Sequence, residues 1–330
     1  MGFETESYVP KIELPDVKDE RLKIKNYGLL GVFTTSLERA RVSDEPDEND
    51  FIEAMKSDDE PNLVDGQVIT QSDNLLLHLD VPPRENEHSG NFIADLGRSV
   101  DMVTGYCQAF PRLRYVYGTS YLASFRYASK LGFLTQELPA DSLKAQVSLE
   151  LYREAKGEEK AKEAPTPKLA YITPESLLEH TGTVRSIEDE ANRSLGILTV
   201  THQRLSRKEK TLEQTTPEEM KNYCVGNVLR IEIGDGDEKS LKRSLDMLVG
   251  YIKAFPSIQD VYIINPDEFT PFLEEIGFGR LDSEDCPVFD GQEQMLEQGG
   301  IIGTSRYDLL EFGVKSSDTV RPVDRRRMVT

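Results

Sequence analysis

One stretch of thirteen residues occurs twice, and it constrains the fold of this chain more than any other feature. Residues 99–111 read SVDMVTGYCQAFP, and residues 244–256 read SLDMLVGYIKAFP. The similarity extends without a gap over 99–133 and 244–278, where 12 of the 35 positions are identical. Self-similarity at a fixed spacing is typical of a repeated structural unit. The chain is therefore expected to contain one fold twice.

The similarity continues upstream, where the first copy carries two insertions. LLHLDV matches RIEIGD at a spacing of 154, and LLGVFT matches SLGILT at a spacing of 165. A charged, proline-containing stretch at 153–168 separates the copies, as a linker would. A chain of 330 residues is long enough for two domains. We predict a first domain over residues 1–160 and a second over residues 166–330, which ends in a basic tail.

Each copy contains an amphipathic helix at its centre. Apolar residues recur at spacings of three and four, which places them on one helix face. They are Leu96, Val100, Val103, Cys107 and Phe110 in the first copy, and Leu241, Leu245, Leu248, Ile252 and Phe255 in the second. Gly105 and Gly250 interrupt these helices, although glycine costs about 1 kcal/mol relative to alanine there. Small residues at matching positions predict the close approach of another backbone.

The remaining pattern predicts the fold class. Each copy is expected to run strand, variable segment, strand, long helix, strand and short helix. Terminal strands are expected to follow, such as KAQVSLELY at 144–152 and SRYDLLEFG at 305–313. The short helices end at Gly132 and Gly277, where a left-handed C-cap is expected. This alternation predicts an α/β fold, an α+β arrangement with a mixed sheet.

Composition excludes several classes of partner and site. The net charge of −20 would repel nucleic acid and an anionic membrane surface, so neither is expected as a partner. The three cysteines, Cys107, Cys224 and Cys286, lie far apart, which supports neither a disulfide framework nor a structural zinc site. The first residues include no apolar leader. These features predict a cytoplasmic protein without a bound metal.

The stretch ASFRYASKLGF at 123–133 resembles a motif of the GNAT superfamily of N-acetyltransferases, in the branch that acts on N-terminal and ribosomal-protein amines. Similar residues recur as FLEEIGF at 272–278. The resemblance covers the C-terminal two thirds of each copy and implies two GNAT-like domains that arose by internal duplication. The matching residues in the first copy are Ala123, Ser124, Arg126, Lys130, Leu131, Gly132 and Phe133.

The resemblance implies an acetyl-CoA loop between the second strand and the long helix, where backbone N–H groups and the helix N-terminus hold the diphosphate. The candidate cofactor-binding residues are Gly90 and Asn91 in the first copy, and Gly234 and Gly236 in the second. Phe92 replaces a small residue in the first loop, and the acids Asp235, Asp237 and Glu238 surround the second. If these loops no longer bind acetyl-CoA, we expect no cofactor. If the chain is active, we expect acetyl-CoA.

The resemblance also implies a base on the strand before that loop. His78 and Glu232 occupy equivalent positions on the two strands and are the candidate catalytic residues. Two functions stay open: a tandem GNAT-like pseudoenzyme with a binding or regulatory role, or an active acyl-CoA-dependent N-acetyltransferase that acts on an amine through its first domain. The acidic composition favours a basic protein or an amine ligand as partner, and homo-oligomerisation is also possible.

Overall fold

A computed structural model describes eleven segments of the chain. They are residues 29–59, 62–64, 73–81, 92–110, 113–120, 128–180, 192–205, 226–255, 258–280, 300–305 and 308–311. Gly90, Asn91 and the basic tail at 321–327 lie outside them, as do residues 123–127 of the GNAT-like motif.

The chain divides into two compact units. The first contains the described residues of 35–83 and 112–177, and the second contains those of 25–34, 84–111 and 178–330. These units follow spatial contacts and are not the consecutive stretches 1–160 and 166–330. The division into residues 1–160 and 166–330 describes two copies of an ancestral sequence, and it stays a prediction.

Two mixed sheets form the framework, in agreement with the predicted α/β class. The first follows the order β1-β2-β4-β5-β7-β6, with β3 beside β2, and the second follows β12-β13-β11-β10-β9-β8. Among the described pairings, β4–β5 and β10–β11 are parallel, whereas β5–β7, β9–β10 and β11–β13 are antiparallel. The strands are β1 (Leu29–Leu30), β2 (Phe33–Arg39), β3 (Asn62–Leu63), β4 (Leu75–Asp80), β5 (Leu113–Ser120), β6 (Leu134–Glu137), β7 (Lys168–Ile172), β8 (Asn192–Leu195), β9 (Leu198–Leu205), β10 (Gly226–Ile233), β11 (Ile258–Ile264), β12 (Gly279–Arg280) and β13 (Ile301–Ser305).

The helices connect or flank these strands. In the second unit the two long helices, α2 and α6, pack against each other. Their predicted apolar faces are buried, with at most 7% of any stripe residue exposed. The helices are α1 (Glu48–Lys56), α2 (Phe92–Ala109), α3 (Leu143–Lys156), α4 (Glu158–Lys162), α5 (Pro174–His180), α6 (Glu238–Ala254) and α7 (Thr270–Glu275), the last preceded by a 3-10 turn, Asp267–Phe269.

The two helix glycines lie where α2 and α6 cross. A Cβ atom on Gly105 would lie 1.8 Å from the carbonyl oxygen of Met247, and one on Gly250 would lie 1.8 Å from that of Met102. No alanine fits at either distance. The predicted approach of another backbone is confirmed, and that backbone is the other helix in each case.

Charged side chains repeat this reciprocal pattern at the same crossing. Arg98 pairs with Asp246, and Arg243 Nε donates to Asp101 Oδ1 at 2.7 Å. Burial outweighs the nearby guanidinium groups and raises the pKa of Asp246 to about 7 and that of Asp101 to about 6. The negative charge of Asp101 also raises the pKa of Asp246. The crossing therefore combines close backbone contact with two ionisable groups that titrate near neutral pH.

The predicted C-caps at the ends of the short helices are confirmed. Gly132 and Gly277 adopt φ values of 83° and 103°. Phe133 N–H donates to the Ala128 carbonyl at 3.0 Å, and Phe278 N–H donates to that of Leu273 at the same distance. With the accompanying bonds from the glycine N–H groups, this is the Schellman arrangement, which requires a left-handed residue that glycine adopts without strain.

The prediction of terminal strands is wrong at two places. Residues 144–152 lie within helix α3, because Ser142 Oγ caps its start by accepting from Ala145 N–H at 3.2 Å. Their alternating apolar residues mimic a strand, but Lys, Ala, Gln, Leu and Glu are strong helix formers. Of the described residues among 305–313, Ser305 belongs to a strand and residues 308–311 are helical.

In the described part of the chain, no helix is both long and apolar enough to cross a membrane.

Candidate functional site

The predicted cofactor loop of the second unit is bonded to the β8–β9 turn of the same unit. Gly234 N–H donates to the Ile197 carbonyl at 2.8 Å. A Cβ on Gly236 would lie 2.9 Å from the side chain of Ile197, so this side chain takes the space beside the glycine, which is otherwise exposed. The two glycines that the resemblance implies for a diphosphate thus contact Ile197 instead.

The N-terminus of α6 also has an internal partner. Asp237 Oδ1 accepts from Ser240 N–H at 2.8 Å and from Ser240 Oγ at 2.6 Å. These hydrogen bonds lower the pKa of Asp237. A carboxylate at this position satisfies free N–H groups that an anion would otherwise use.

A buried serine holds Ile197 above this loop. Ser244 Oγ accepts from Ile197 N–H at 2.9 Å and donates to the Ser240 carbonyl at 2.7 Å. The adjacent Gly196 has a φ of 64°, and a Cβ there would lie 2.2 Å from Ser244 Oγ. The β8–β9 turn is therefore fastened to α6 beside the loop at 234–237, whose residues are themselves exposed.

The candidate base of the second unit is exposed. Glu232 lies near the end of β10 with 58% of its side chain exposed, and it accepts a hydrogen bond from Arg230 at 2.6 Å. Glu232 therefore belongs to a surface ion pair with Arg230.

The candidate base of the first unit has a different environment. His78 lies on β4 opposite Tyr117 of β5, and its ring stacks on the tyrosine at 4.6 Å with an interplanar angle of 12°. Its Nδ1 is 3.6 Å from Glu38 Oε1, and its Nε2 is 3.4 Å from Asp80 Oδ1. Nε2 is buried and makes no hydrogen bond within the described residues. The imidazole thus lies between two carboxylates.

Glu38 is the buried centre of this group, with 5% of the residue exposed. Its Oε2 accepts from Tyr117 Oη at 2.7 Å, and its Oε1 accepts from Ser36 Oγ at 3.2 Å. Burial raises the pKa of Glu38, but the hydrogen bonds and charges of His78, Tyr117 and Lys144 outweigh burial, so the net pKa is lowered. Glu38 is therefore a stable buried carboxylate rather than a proton donor.

Lys144 completes the group from the first turn of α3. Its Nζ lies 5.3 Å from the centre of the Tyr117 ring and donates to the Met55 carbonyl. Burial lowers the pKa of Lys144, although the charges of Glu38, Asp58 and Asp80 act in the opposite direction. We call Glu38, His78, Asp80, Tyr117 and Lys144 the Glu38 cluster.

Chemically, the Glu38 cluster can hold and orient an imidazole. A carboxylate beside one ring nitrogen fixes its orientation and stabilises its protonated form, which is how general bases are supported in many enzymes. The described residues contain no group of three or more histidine, cysteine or carboxylate side chains positioned for a metal ion. The position of the imidazole between Glu38 and Asp80 is suited to acid–base chemistry.

Sequence reasoning identified His78 and missed its four partners. Period-two alternation along β2 and β4 could have placed Glu38 and His78 on sheet faces, but their proximity depends on β2 and β4 being neighbours. Tyr117 is identical in the two copies, which was an available signal. Lys144 was hidden because its segment was predicted to be a strand.

Comparisons with known proteins do not identify a family for this chain. No protein-family model matches the sequence, and neither curated proteins nor solved structures gave a significant match.

Proposed function

We propose that the chain is a tandem GNAT-like pseudoenzyme whose second unit has lost the acetyl-CoA loop and has a binding or regulatory role. The proposed duplication is supported by the sequence repeat, by the matching strand order of the two sheets and by the matching Schellman ends. A basic protein or an amine ligand is the partner that the net charge of −20 favours.

The internal contacts of the loop at 234–237 are the observation that carries this proposal. Gly234 N–H donates to the Ile197 carbonyl, the Ile197 side chain lies beside Gly236, and Asp237 caps the helix. A diphosphate would have to displace a bonded carbonyl, a packed side chain and a carboxylate of its own charge. Each of these costs free energy that an open glycine loop does not.

Isothermal titration of acetyl-CoA and CoA into the purified chain tests the proposal. We expect no saturable heat at millimolar ligand. A titration at this concentration would detect even weak binding, with a binding free energy of about −4 kcal/mol. Micromolar binding that is abolished by Gly236→Leu would contradict it, because the second loop would then be functional.

A second candidate is an active N-acetyltransferase that works through the first predicted domain, residues 1–160, and the Glu38 cluster favours it. When bound, acetyl-CoA would supply an acyl thioester. His78 would accept the proton of the attacking amine, while Glu38 would orient the ring through Nδ1 and stabilise its positive charge. The candidate cofactor residues of the first sequence copy, Gly90 and Asn91, lie outside the described residues.

Thiol release from acetyl-CoA in the presence of amine acceptors tests this second candidate. If it holds, His78→Gln should lower the rate by about 10²-fold or more, the usual contribution of a general base. Glu232→Gln is the matched control, because this carboxylate lies at the equivalent strand position but is exposed. Equal rates for the two variants, or no thiol release by the wild type, would exclude His78 as the base.

A further inference from the structure

The side of α2 that meets α6 lies opposite its apolar face, and the same holds for α6. The residues on this side are spaced three and four apart along each helix. Five of them are of the same type in both helices at a spacing of 145. They are Arg98, Asp101, Met102, Gly105 and Ala109 on α2, and Arg243, Asp246, Met247, Gly250 and Ala254 on α6. We call these two sets the crossing surfaces.

The contacts between the crossing surfaces occur in pairs in which the helices exchange roles. Arg98 of α2 pairs with Asp246 of α6. Exchanging the copies turns this pair into Arg243 of α6 with Asp101 of α2, and that pair is present at 2.7 Å. The approaches of the two glycines to the opposite carbonyl oxygens exchange likewise, at 1.8 Å each. Reciprocal contacts of this kind characterise an isologous interface, which two identical subunits form about a two-fold axis.

An aromatic pair at the ends of the helices marks this axis. The rings of Phe110 and Phe255 stack at 6.4 Å with an interplanar angle of 12°. These two residues are themselves equivalent in the repeat. Under a two-fold exchange, a residue contacts its own equivalent only beside the axis. The local axis therefore passes beside this ring pair.

Each helix is also fastened to a turn of its own sequence copy. Ser99 Oγ accepts from Val32 N–H at 2.8 Å. The equivalent Ser244 Oγ accepts from Ile197 N–H at 2.9 Å. The glycines that precede these two N–H groups have φ values of 65° and 64°. Each crossing surface therefore belongs to a turn-and-helix element that is built in the same way twice.

We propose that the crossing surface is self-complementary, and that it fits the like helix of a second copy of this chain as well as the other helix of its own chain. The contacting residues are the same in both helices, so α2 against α2, or α6 against α6, would reproduce each of the contacts above. Covalent linkage raises the effective concentration of the other helix, which favours the crossing within one chain. The pattern of charges therefore decides which partner is bound.

Reversing both charges on one helix separates the two modes of pairing. In the α2-reversed variant, Arg98→Asp with Asp101→Arg, like charges face each other in both pairs between α2 and α6. Opposite charges still face each other when α2 pairs with α2 and α6 with α6. The net charge of −20 is unchanged. We expect this variant to show twice the wild-type mass in sedimentation equilibrium, with a double-mass fraction that rises between about 1 and 100 µM chain.

Two control variants isolate the charge pattern. The four-fold variant adds Arg243→Asp and Asp246→Arg to the α2-reversed variant, which restores opposite charges within one chain. It should be folded and return to the wild-type mass. The all-acidic variant, Arg98→Asp with Arg243→Asp, places like charges opposite each other in every pairing, so its mass should not double. Far-ultraviolet circular dichroism reports whether each variant is folded.

Four results would overturn the proposal. The α2-reversed variant could keep the wild-type mass, or it could stay unfolded at every concentration up to about 100 µM. The four-fold variant could fail to fold, although its charge pairs are those of the wild type with their ends exchanged. The all-acidic variant could also double in mass, which would show association without regard to the charge pattern. Because the measurement contains no CoA, its outcome is separate from that of the proposed function.

Discussion

The crossing of α2 and α6 makes a quantitative prediction for the variant Gly105→Ala. The added Cβ would lie 1.8 Å from the Met247 carbonyl oxygen. An ordinary contact needs roughly 3.4 Å, so the helices must separate locally by about 1.6 Å. The obstructing atom belongs to the backbone of a helix and cannot rotate away. The clash must therefore be relieved by moving a whole element.

The cost follows from overpacking and from the gap that the separation opens. Overpacking a close-packed site costs about 1 to 3 kcal/mol and sometimes more, and a backbone obstacle places this site at the upper end. Alanine stabilises a helix by about 1 kcal/mol relative to glycine, which offsets part of this cost. We expect Gly105→Ala to lower the free energy of unfolding by about 2 kcal/mol or more, and Gly250→Ala to do the same.

The reciprocal geometry adds a sharper expectation for the double variant. A single separation of the helices relieves both clashes, because Met102 and Gly105 lie one turn apart on one helix and Met247 and Gly250 on the other. The double variant should therefore lose less than the sum of the two single losses, with a coupling of about 1 kcal/mol or more.

Urea unfolding followed by far-ultraviolet circular dichroism measures these values, since the chain contains no tryptophan. Gly279→Ala is the matched control: a Cβ there meets no atom within 4 Å, so its effect should stay within about 0.5 kcal/mol. If Gly105→Ala were as stable as this control, the close approach of the helices would be refuted. Strict additivity in the double variant would refute the shared separation.

Three further predictions concern single polar groups. Ser244→Ala should lower the free energy of unfolding by about 1 to 3 kcal/mol in urea titrations, because it leaves the Ile197 N–H without its acceptor, and an unchanged midpoint would count against this bond. The pKa of Asp246 is raised from 3.8 to about 7 on folding, so its contribution to stability is present below pH 4 and is lost as the pH rises through 7. Between pH 5 and 8, Asp246→Asn should therefore reduce the pH-dependent loss of stability by about 2 kcal/mol, and parallel pH profiles for variant and wild type would contradict the raised pKa. Tyr117→Phe should cost about 1 to 3 kcal/mol by removing the donor to Glu38 at 2.7 Å, and it should cost less at acidic pH, where Glu38 is protonated.

The candidate site was only partly predictable. His78 was found because its strand matches that of Glu232 in the repeat, and this match is a property of the sequence. Glu38 and Tyr117 contact His78 because β2, β4 and β5 are neighbours in one sheet. Strand order depends on contacts between distant parts of the chain, which no local pattern encodes.

The sequence alone determined the local elements: the buried faces of α2 and α6, and the left-handed glycines Gly132 and Gly277. Each follows from side-chain spacing or from one residue's conformational range, so neighbours along the chain suffice. The tertiary structure alone decided which backbone lies against Gly105 and Gly250, which carbonyl accepts a hydrogen bond from Lys144, and which residue accepts one from Gly234 N–H. These depend on the packing of segments remote in sequence, where close approach and burial act between partners that the local pattern does not name.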